Sequence, residues 1–139
     1  MTEEERRAIE ADCERLIKRY VNLNDAQDWP AVAALYTEDA RFARPSQPGV
    51  FVEGRAAILA SFLARPARAQ RHVIANVVID VEDADNARAF SVIVLYMGDA
   101  AEDGGLPPER SFGWVTAGSL ARRRARRNAS RRECAPAGR

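Results

Sequence analysis

The strongest pattern of apolar positions in this chain lies in residues 71–98, where two stretches rich in Val, Ile, Phe and Tyr flank an acidic connection at residues 82–86. β-Branched and aromatic side chains favour strands, and the Asp and Asn residues of the connection favour a turn. The pattern therefore predicts an antiparallel β-hairpin.

Alternation along a strand assigns the side chains of this hairpin to two faces. In the first strand one face carries His72, Ile74, Asn76 and Val78, and the other carries Val73, Ala75, Val77, Ile79 and Val81. A sheet that is apolar on both sides is covered on both sides. We expect helices of the chain to cover the His72 face. We expect a second copy to cover the other face, giving a homodimer through Val73, Val77, Ile79, Ile93 and Leu95.

Spacings of three and four residues predict an amphipathic helix at the start of the chain. Thr2 and Glu5 have the pattern of a capping box, and the helix is expected to end at residues 22–24. Its buried stripe is expected to contain Ile9, Cys13, Leu16, Ile17 and Tyr20. Tyr20 therefore points inward near the end of this helix.

Shorter elements are predicted between this helix and the hairpin. Asp28 and Pro30 fit the cap and first turn of a second helix at residues 30–36. Two short strands, at residues 40–43 and 50–53, flank a loop that is rich in proline. A third helix is expected to begin at Gly54-Arg55 and to stop at Arg65-Pro66.

The order of these elements predicts an α+β fold. Three N-terminal helices are expected to pack on a curved, mostly antiparallel β-sheet that forms a cone with an internal pocket. A Gly- and Pro-rich loop at residues 103–108 and a last strand at residues 111–120 follow the hairpin. The expected core contains Ile9, Leu16, Ile17, Leu35, Phe42, Phe62, Ile74, Val78, Val92 and Val94.

Composition narrows the class of protein. The chain has 139 residues, of which 47% are hydrophobic and 29% charged, as in an ordinary single globular domain. We expect a cytoplasmic protein without a membrane span, since no leader pattern or long apolar run occurs. Two cysteines near opposite ends indicate no disulfide framework, and a single histidine argues against a metal site.

Charge divides the chain into two parts. Residues 1–118 carry 13 basic and 19 acidic residues, a net charge of −6, whereas residues 119–139 carry 8 arginines and 1 glutamate, a net charge of +7. The predicted organisation is a domain at residues 1–120 and a disordered or non-family tail at residues 121–139. Clustered arginines attract phosphate, but no aromatic side chains lie between them for stacking on bases, so a nucleic-acid partner is not expected.

Four short segments resemble a known family. They are the helix end with Tyr20, Asp25, Asp28 and Trp29, the stretch LYTEDARF at residues 35–42, Gly54-Arg55, and RHVIANV at residues 71–77. In these segments the chain is similar to SnoaL-like members of the nuclear transport factor 2-like superfamily. That superfamily includes polyketide cyclases, scytalone and bile-acid dehydratases, ketosteroid isomerases, small subunits of ring-hydroxylating dioxygenases, and binding modules without catalysis.

The resemblance implies a candidate site. In the dehydratase-like members a Tyr, an Asp and a His meet in the cone, and Tyr20, Asp25 and His72 match those positions. A His oriented by a carboxylate is a base for a carbon-bound proton, and a Tyr hydroxyl stabilises the developing enolate. The isomerases have an Asp before a Pro on the first short strand; here Arg44 precedes Pro45, which disfavours isomerase chemistry. Candidate substrate-binding residues are Asn76, Phe42, Phe62 and Tyr96.

The implied function is a lyase without a cofactor, a dehydratase or cyclase that acts on a small apolar carbonyl or polyketide-like compound. The alternative is a non-catalytic ligand-binding or oligomerisation module of the same fold. Structural roles also remain open for the site residues: His72 and Tyr20 as core side chains, Asp25 as a turn residue, and Asn76 as a partner of the backbone. Trp29 and Tyr36 are interpreted as core packing.

Overall fold

The computed structural model describes residues 1–44 and 46–98. The predicted loop at residues 103–108, the strand at 111–120 and the tail at 121–139 lie outside the described residues. In chain order the elements are α1 (Glu3–Asp25), α2 (Trp29–Ala33), β1 (Arg41–Ala43), β2 (Phe51–Glu53), α3 (Arg55–Leu63), β3 (Ala69–Val81) and β4 (Ala87–Gly98). The fold is α+β, and α3 follows the first pair of strands.

The ends of the helices have the predicted capping residues. The backbone amide of Thr2 donates to the Glu5 carboxylate over 2.7 Å, and the amide of Glu5 donates to the Thr2 hydroxyl over 3.2 Å, which is a complete capping box. Asp28 caps α2 by accepting from the amide of Ala31. Gly54 precedes α3 with a φ of 86°, a left-handed conformation that favours glycine.

The described strands form two antiparallel pairs, β1 with β2 and β3 with β4. Asp83 organises the turn between β3 and β4, because its carboxylate accepts from the amides of Asp85 and Asn86 and from the Asn86 side chain. These hydrogen bonds lower the pKa of the Asp83 carboxyl. The hairpin prediction is therefore confirmed, with an Asp rather than the Asn at the centre of the turn.

A β-bulge interrupts the alternation that the sequence predicts along β3. Ala75 pairs with Val92 and Val78 pairs with Phe90, so Asn76 and Val77 together oppose a single residue, Ser91. Asn76 has a φ of 51°, in the left-handed region. The extra residue reverses which side chains face the helices. His72 and Ile74 therefore share a face with Val77, Ile79 and Val81, not with Val78.

The bulge corrects part of the predicted core and the predicted dimer face. Val78 is 52% exposed, contrary to its placement in the core. Cross-strand partners share a face, and Ile93 and Leu95 pair with Ile74 and His72 on the helix side. Val92 and Val94 pair with Ala75 and Val73 on the outer side, where they are half-buried. The outer apolar set is therefore Val73, Val78, Phe90, Val92, Val94 and Tyr96.

Two clusters form the core of the described residues. The aliphatic cluster contains buried Ile9, Val81 and Ala87, with Cys13 and Ile79 packed against it. The aromatic cluster contains fully buried Val32, Ile58 and Phe62, with a shell of Tyr20, Leu23, Trp29, Tyr36, Ala40, Phe42 and Val52. The predicted core residues Ile9 and Phe62 are buried; Leu16, Ile17, Leu35, Phe42 and Ile74 are half-buried.

Candidate functional site

Asp25, at the end of α1, holds His72 of β3 through two hydrogen bonds. One carboxylate oxygen lies 2.6 Å from Nδ1 of the imidazole, and the other accepts from the His72 backbone amide over 3.0 Å. Both side chains are largely enclosed, with 16% of His72 and 9% of Asp25 exposed. The carboxylate therefore fixes both the position of the residue and the plane of its ring.

Neighbouring residues align the end of α1 with the start of β3. The Gln70 side chain donates to the carbonyl of Asn24 over 2.6 Å, and the Gln27 side chain donates to the carbonyl of Arg68 over 2.8 Å. Asn24 is buried and donates to the carbonyl of Tyr20 one turn earlier. The contact between Asp25 and His72 thus lies within a set of hydrogen bonds that join the two elements.

The geometry selects one tautomer of His72. An ionised carboxylate only accepts hydrogen bonds, so Nδ1 carries the proton in the neutral imidazole and Nε2 has the free lone pair. An imidazole that is oriented in this way can take up a proton at Nε2 while the carboxylate stabilises the imidazolium. The pair has the chemistry of a general base.

Tyr20 lies in the aromatic cluster beside Tyr36. Their ring centroids are 6.1 Å apart and their planes are nearly perpendicular. Burial raises the pKa of the Tyr36 hydroxyl. Electrostatic repulsion by an ionised Tyr20 and a hydrogen bond between the two tyrosines raise this pKa further. Tyr36 therefore keeps its proton at neutral and moderately alkaline pH and remains a hydrogen-bond donor.

The structure places two of the candidate substrate-binding residues in this cluster. Phe42 and Phe62 have centroids 5.2 Å apart, Trp29 stacks on Phe62 at 5.7 Å, and Tyr36 contacts Phe42 edge-on at 6.1 Å. Trp29 and Tyr36 pack in the core as predicted.

The other two candidates lie elsewhere. Asn76 occupies the bulge and is exposed. The bulge breaks the alternation that would have placed the Asn76 side chain on the same face as His72. Tyr96 pairs with Arg71 on the outer face of the hairpin, opposite His72. The prediction for both residues assumed unbroken alternation, and a bulge of one residue has no clear signal in sequence apart from an Asn in an otherwise apolar strand.

Two further residues lie at the aromatic cluster. The sequence predicts only a packing role for Tyr36, but its hydroxyl neighbours that of Tyr20. The sequence predicts a helix stop at Arg65, and its guanidinium lies over the rings of the aromatic cluster. The sequence signal for Arg65 was its place directly after an apolar helix, which describes many surface arginines equally well.

Open clefts occur on the surface of the part of the chain that the structure describes. One open cleft is lined by Glu14, Lys18, Val21, Asn22 and residues 74–77, and another by Pro30, Ala33, Ala34, Glu38, Arg55, Ala56 and Leu59. Neither is lined by Asp25 or His72. Residues 1–44 and 46–98 contain no group of three His, Cys, Asp or Glu side chains suited to a metal ion, and no helix among them could cross a membrane.

Solved structures identify the class of fold. The chain is similar to an NTF2-like protein with a cystatin-like fold from Novosphingobium aromaticivorans, with a TM-score of 0.54 and 29% identity over 68% of this chain and 64% of that one. A candidate scytalone dehydratase from the same organism gives a TM-score of 0.64 and 21% identity, over 73% and 68% of the two chains. ActVI-ORFA from Streptomyces coelicolor gives 0.58 and 22%, over 76% and 78%. The protein has an NTF2-like α+β fold.

The SnoaL-like domain family matches residues 5–129. The chain therefore belongs to this family, as the four sequence segments predicted. The match ends beyond the predicted domain boundary at residue 120, which lies outside the described residues and stays a prediction. A comparison with curated proteins gave no significant match.

Proposed function

We propose that the protein is a cofactor-independent lyase that dehydrates or cyclises a small apolar carbonyl compound. The observation that carries this proposal is the double hydrogen bond between Asp25 and His72, because it orients a largely enclosed imidazole with Nε2 available. The name of one similar structure, a candidate scytalone dehydratase, is compatible with this class of chemistry.

In the proposed dehydration, Nε2 of His72 removes the proton on the carbon next to the substrate carbonyl. The hydroxyls of Tyr20 and Tyr36 donate hydrogen bonds to the carbonyl oxygen as it becomes an enolate. The enolate then expels the β-hydroxyl group, which leaves as water with the proton from the imidazolium. In a cyclisation the same enolate carbon attacks a second carbonyl of the substrate instead, the π bond of that carbonyl breaks, and the resulting alkoxide takes the proton from the imidazolium.

The proposed pocket is apolar and lies inside a cone formed by the helices and the sheet. Phe42 and Phe62 support this placement, because they pack beside the two tyrosines. An apolar, water-poor surrounding strengthens the interaction of a hydroxyl donor with a developing enolate. Small hydrophobic carbonyl compounds, rather than sugars or nucleotides, fit this chemistry.

The test is a panel of β-hydroxy ketones and poly-β-carbonyl compounds, with product formation followed by mass spectrometry. The wild type is expected to convert at least one compound, and His72→Ala is expected to lose most of that turnover. Arg71→Ala is the matched control, because Arg71 is the adjacent residue on the outer face of β3 and is exposed. Equal turnover in wild type and His72→Ala would remove His72 from the mechanism.

A non-catalytic ligand-binding module is the second candidate. The observation that favours it is that neither of the two open clefts described above is lined by Asp25 or His72. Under this hypothesis the hydrogen bonds of Asp25 join α1 to β3 and have no chemical role. A ligand that binds with equal affinity to wild type and His72→Ala, without any conversion of the panel, would support the module.

We also propose self-association through the outer face of the hairpin. Val73 and Val78 are each about half exposed, and Phe90 and Tyr96 extend the same apolar surface. Light scattering at micromolar concentration is expected to give the mass of a dimer, and Val78→Glu is expected to shift it to a monomer. A wild-type monomer, both in the full chain and in a chain that ends at residue 120, would contradict this.

A further inference from the structure

Arg65 places a guanidinium group directly on the aromatic cluster. Its central carbon lies 4.2 Å from the centroid of Phe62, 5.6 Å from that of Trp29 and 6.0 Å from that of Phe42. Arg65 follows the last residue of α3 by two positions, and it is half-buried. The cation is therefore held against the rings that adjoin Tyr20 and Tyr36.

The charge of Arg65 has no carboxylate partner among residues 1–44 and 46–98. The arginines that do form ion pairs in this part of the chain are Arg7, Arg41 and Arg88. Burial lowers the pKa of Arg65, and the positive charge of nearby Arg44 lowers it further, whereas Tyr20 and Tyr36 act in the opposite direction. Arg44 donates to the carbonyl of Ser61 in α3 and likewise has no ion pair with a described carboxylate. The positive charge of Arg65 is thus affected by that of Arg44, and neither is paired with a carboxylate of the described residues.

Arg41 shows that stacking on an aromatic ring does not require an unpaired charge. Its guanidinium also lies 4.2 Å from a phenylalanine centroid, that of Phe51, but it pairs with Glu53 over 3.0 Å. A structural role at the end of α3, in which the cation favours the helix C-terminus, explains the position of Arg65. It does not explain why the half-buried Arg65 guanidinium has no ion pair with a carboxylate of residues 1–44 and 46–98, which is unfavourable.

We propose that Arg65, with Arg44 behind it, is an anion subsite that binds the carboxylate of an apolar, aromatic or polyketide-like acid. Stacking occupies the faces of the guanidinium and leaves its in-plane N–H groups for a bidentate carboxylate. This inference rests on the proposed function and narrows its substrate class to carbonyl compounds that also bear an acid group. The carboxylate would bind at Arg65, and the apolar body would extend along the aromatic shell towards Tyr20.

The probes are 2-naphthoate and 2-naphthamide, which have the same ring system but differ in charge. Each is titrated into the full-length protein at moderate salt, and dissociation constants are measured by calorimetry. The wild type is expected to bind the acid at least about tenfold more tightly than the amide, as a charge-assisted hydrogen bond allows. Equal affinities, or no binding of either probe, would overturn the proposal.

Variants assign that preference to Arg65. Arg65→Met keeps the length of the side chain and is expected to bind both probes with equal affinity, while its affinity for the amide stays within about threefold of wild type. Arg65→Lys keeps the charge without the planar donors and is expected to retain only part of the preference. Arg41→Met is the matched control and is expected to keep all of it. An unchanged preference in Arg65→Met would also overturn the subsite.

His72→Ala separates this inference from the proposed function. The variant is expected to keep the preference for naphthoate, because the subsite does not depend on the imidazole. If no compound is converted but naphthoate is still preferred through Arg65, the lyase proposal fails and the subsite stands. If neutral substrates are converted as well as acidic ones and naphthoate is not preferred, the subsite alone fails.

Discussion

The two hydrophobic clusters differ in what surrounds them. The aliphatic cluster joins α1 to the turn end of the hairpin through Ile9, Val81 and Ala87, and Arg6 closes it with a hydrogen bond to the carbonyl of Val81. The aromatic cluster, by contrast, includes two tyrosines in its shell and carries the guanidinium of Arg65 on its rings. One cluster buries aliphatic surface, whereas the other brings polar groups to an aromatic surface.

This difference sets the aliphatic cluster apart from the cluster that holds Tyr20, Tyr36 and Arg65, the polar residues of the proposed site. Burying aliphatic surface stabilises a fold without further requirements, but a buried hydroxyl or cation lowers stability unless it is paired. Polar groups retained at such a place are therefore candidates for a functional role. Substitutions in the two clusters should therefore separate stability from activity.

The largest effect is expected for Asp25→Asn. The amide of Asn would donate to Nδ1 of His72, which moves the imidazole proton to Nε2 and removes the base. We expect turnover on the substrate found by the panel to fall about 100- to 10,000-fold, with little change in the melting temperature. Asp28→Asn is the matched control, since Asn caps a helix as well as Asp. Similar turnover in both variants would contradict the role of Asp25.

The next effect is expected for Phe62→Ala, which removes the centre of the aromatic cluster. Phe62 is fully buried, so the cavity should lower the free energy of unfolding by about 3–5 kcal/mol. Ile9→Val in the aliphatic cluster should lower it by only about 0.5–1.5 kcal/mol and leave turnover unchanged. Urea unfolding of both variants measures these free energies. A loss of turnover in Ile9→Val would contradict the expectation that the aliphatic cluster affects stability but not activity.

A smaller effect concerns alkaline pH. The folded pKa of Tyr36 is raised, so the unfolded chain loses this proton first, at a pH of about 10. The corresponding stability is fully present below that pH and is lost as the pH rises further. The urea midpoint of the wild type should therefore fall more steeply above pH 10 than that of Tyr36→Phe. Parallel slopes for the two proteins would show that Tyr36 is not protected from ionisation.

The smallest effect is expected at the bulge. Asn76 adopts a left-handed conformation, which Asn and Gly tolerate better than Ala. Asn76→Ala should lower the free energy of unfolding by about 1 kcal/mol, and Asn76→Gly should be close to neutral. Chemical unfolding of the two variants measures the difference. An Asn76→Ala protein as stable as Asn76→Gly would show that backbone strain at this residue does not matter.

Local signals in the sequence predicted most of the elements. The capping box of Thr2 and Glu5, the cap at Asp28 and the acidic turn all act through neighbours within a few residues, so their effects can be recognised without the fold. The meeting of Asp25 with His72 spans 47 positions of the chain. It was implied only by the family resemblance, and its catalytic role remains a proposal.

The errors have one physical origin in β3 and another at Arg65. A bulge reverses every later assignment of faces along a strand, so Val78, Val92 and Val94 were placed wrongly although the strands themselves were predicted. Arg65 was missed because its environment depends on the rings of Trp29 and Phe42, which are distant in the sequence, and on the lack of an ion pair with a carboxylate of the described residues. Only Phe62 lies close to it in the chain.

Because of the bulge, β3 holds one residue more than its pairing with β4 requires. Deleting Asn76 would give a regular strand in which His72 and Ile74 still share a face with Val77, Ile79 and Val81. Losing the bulge without a deletion would have the opposite effect. If His72 kept its partner, the charged Asp80 would enter the aliphatic cluster in place of Ile79; if Ile79 kept its place, His72 would face away from Asp25. A relative whose strands pair without a bulge can therefore keep both the histidine and the aliphatic cluster only if its strand is one residue shorter.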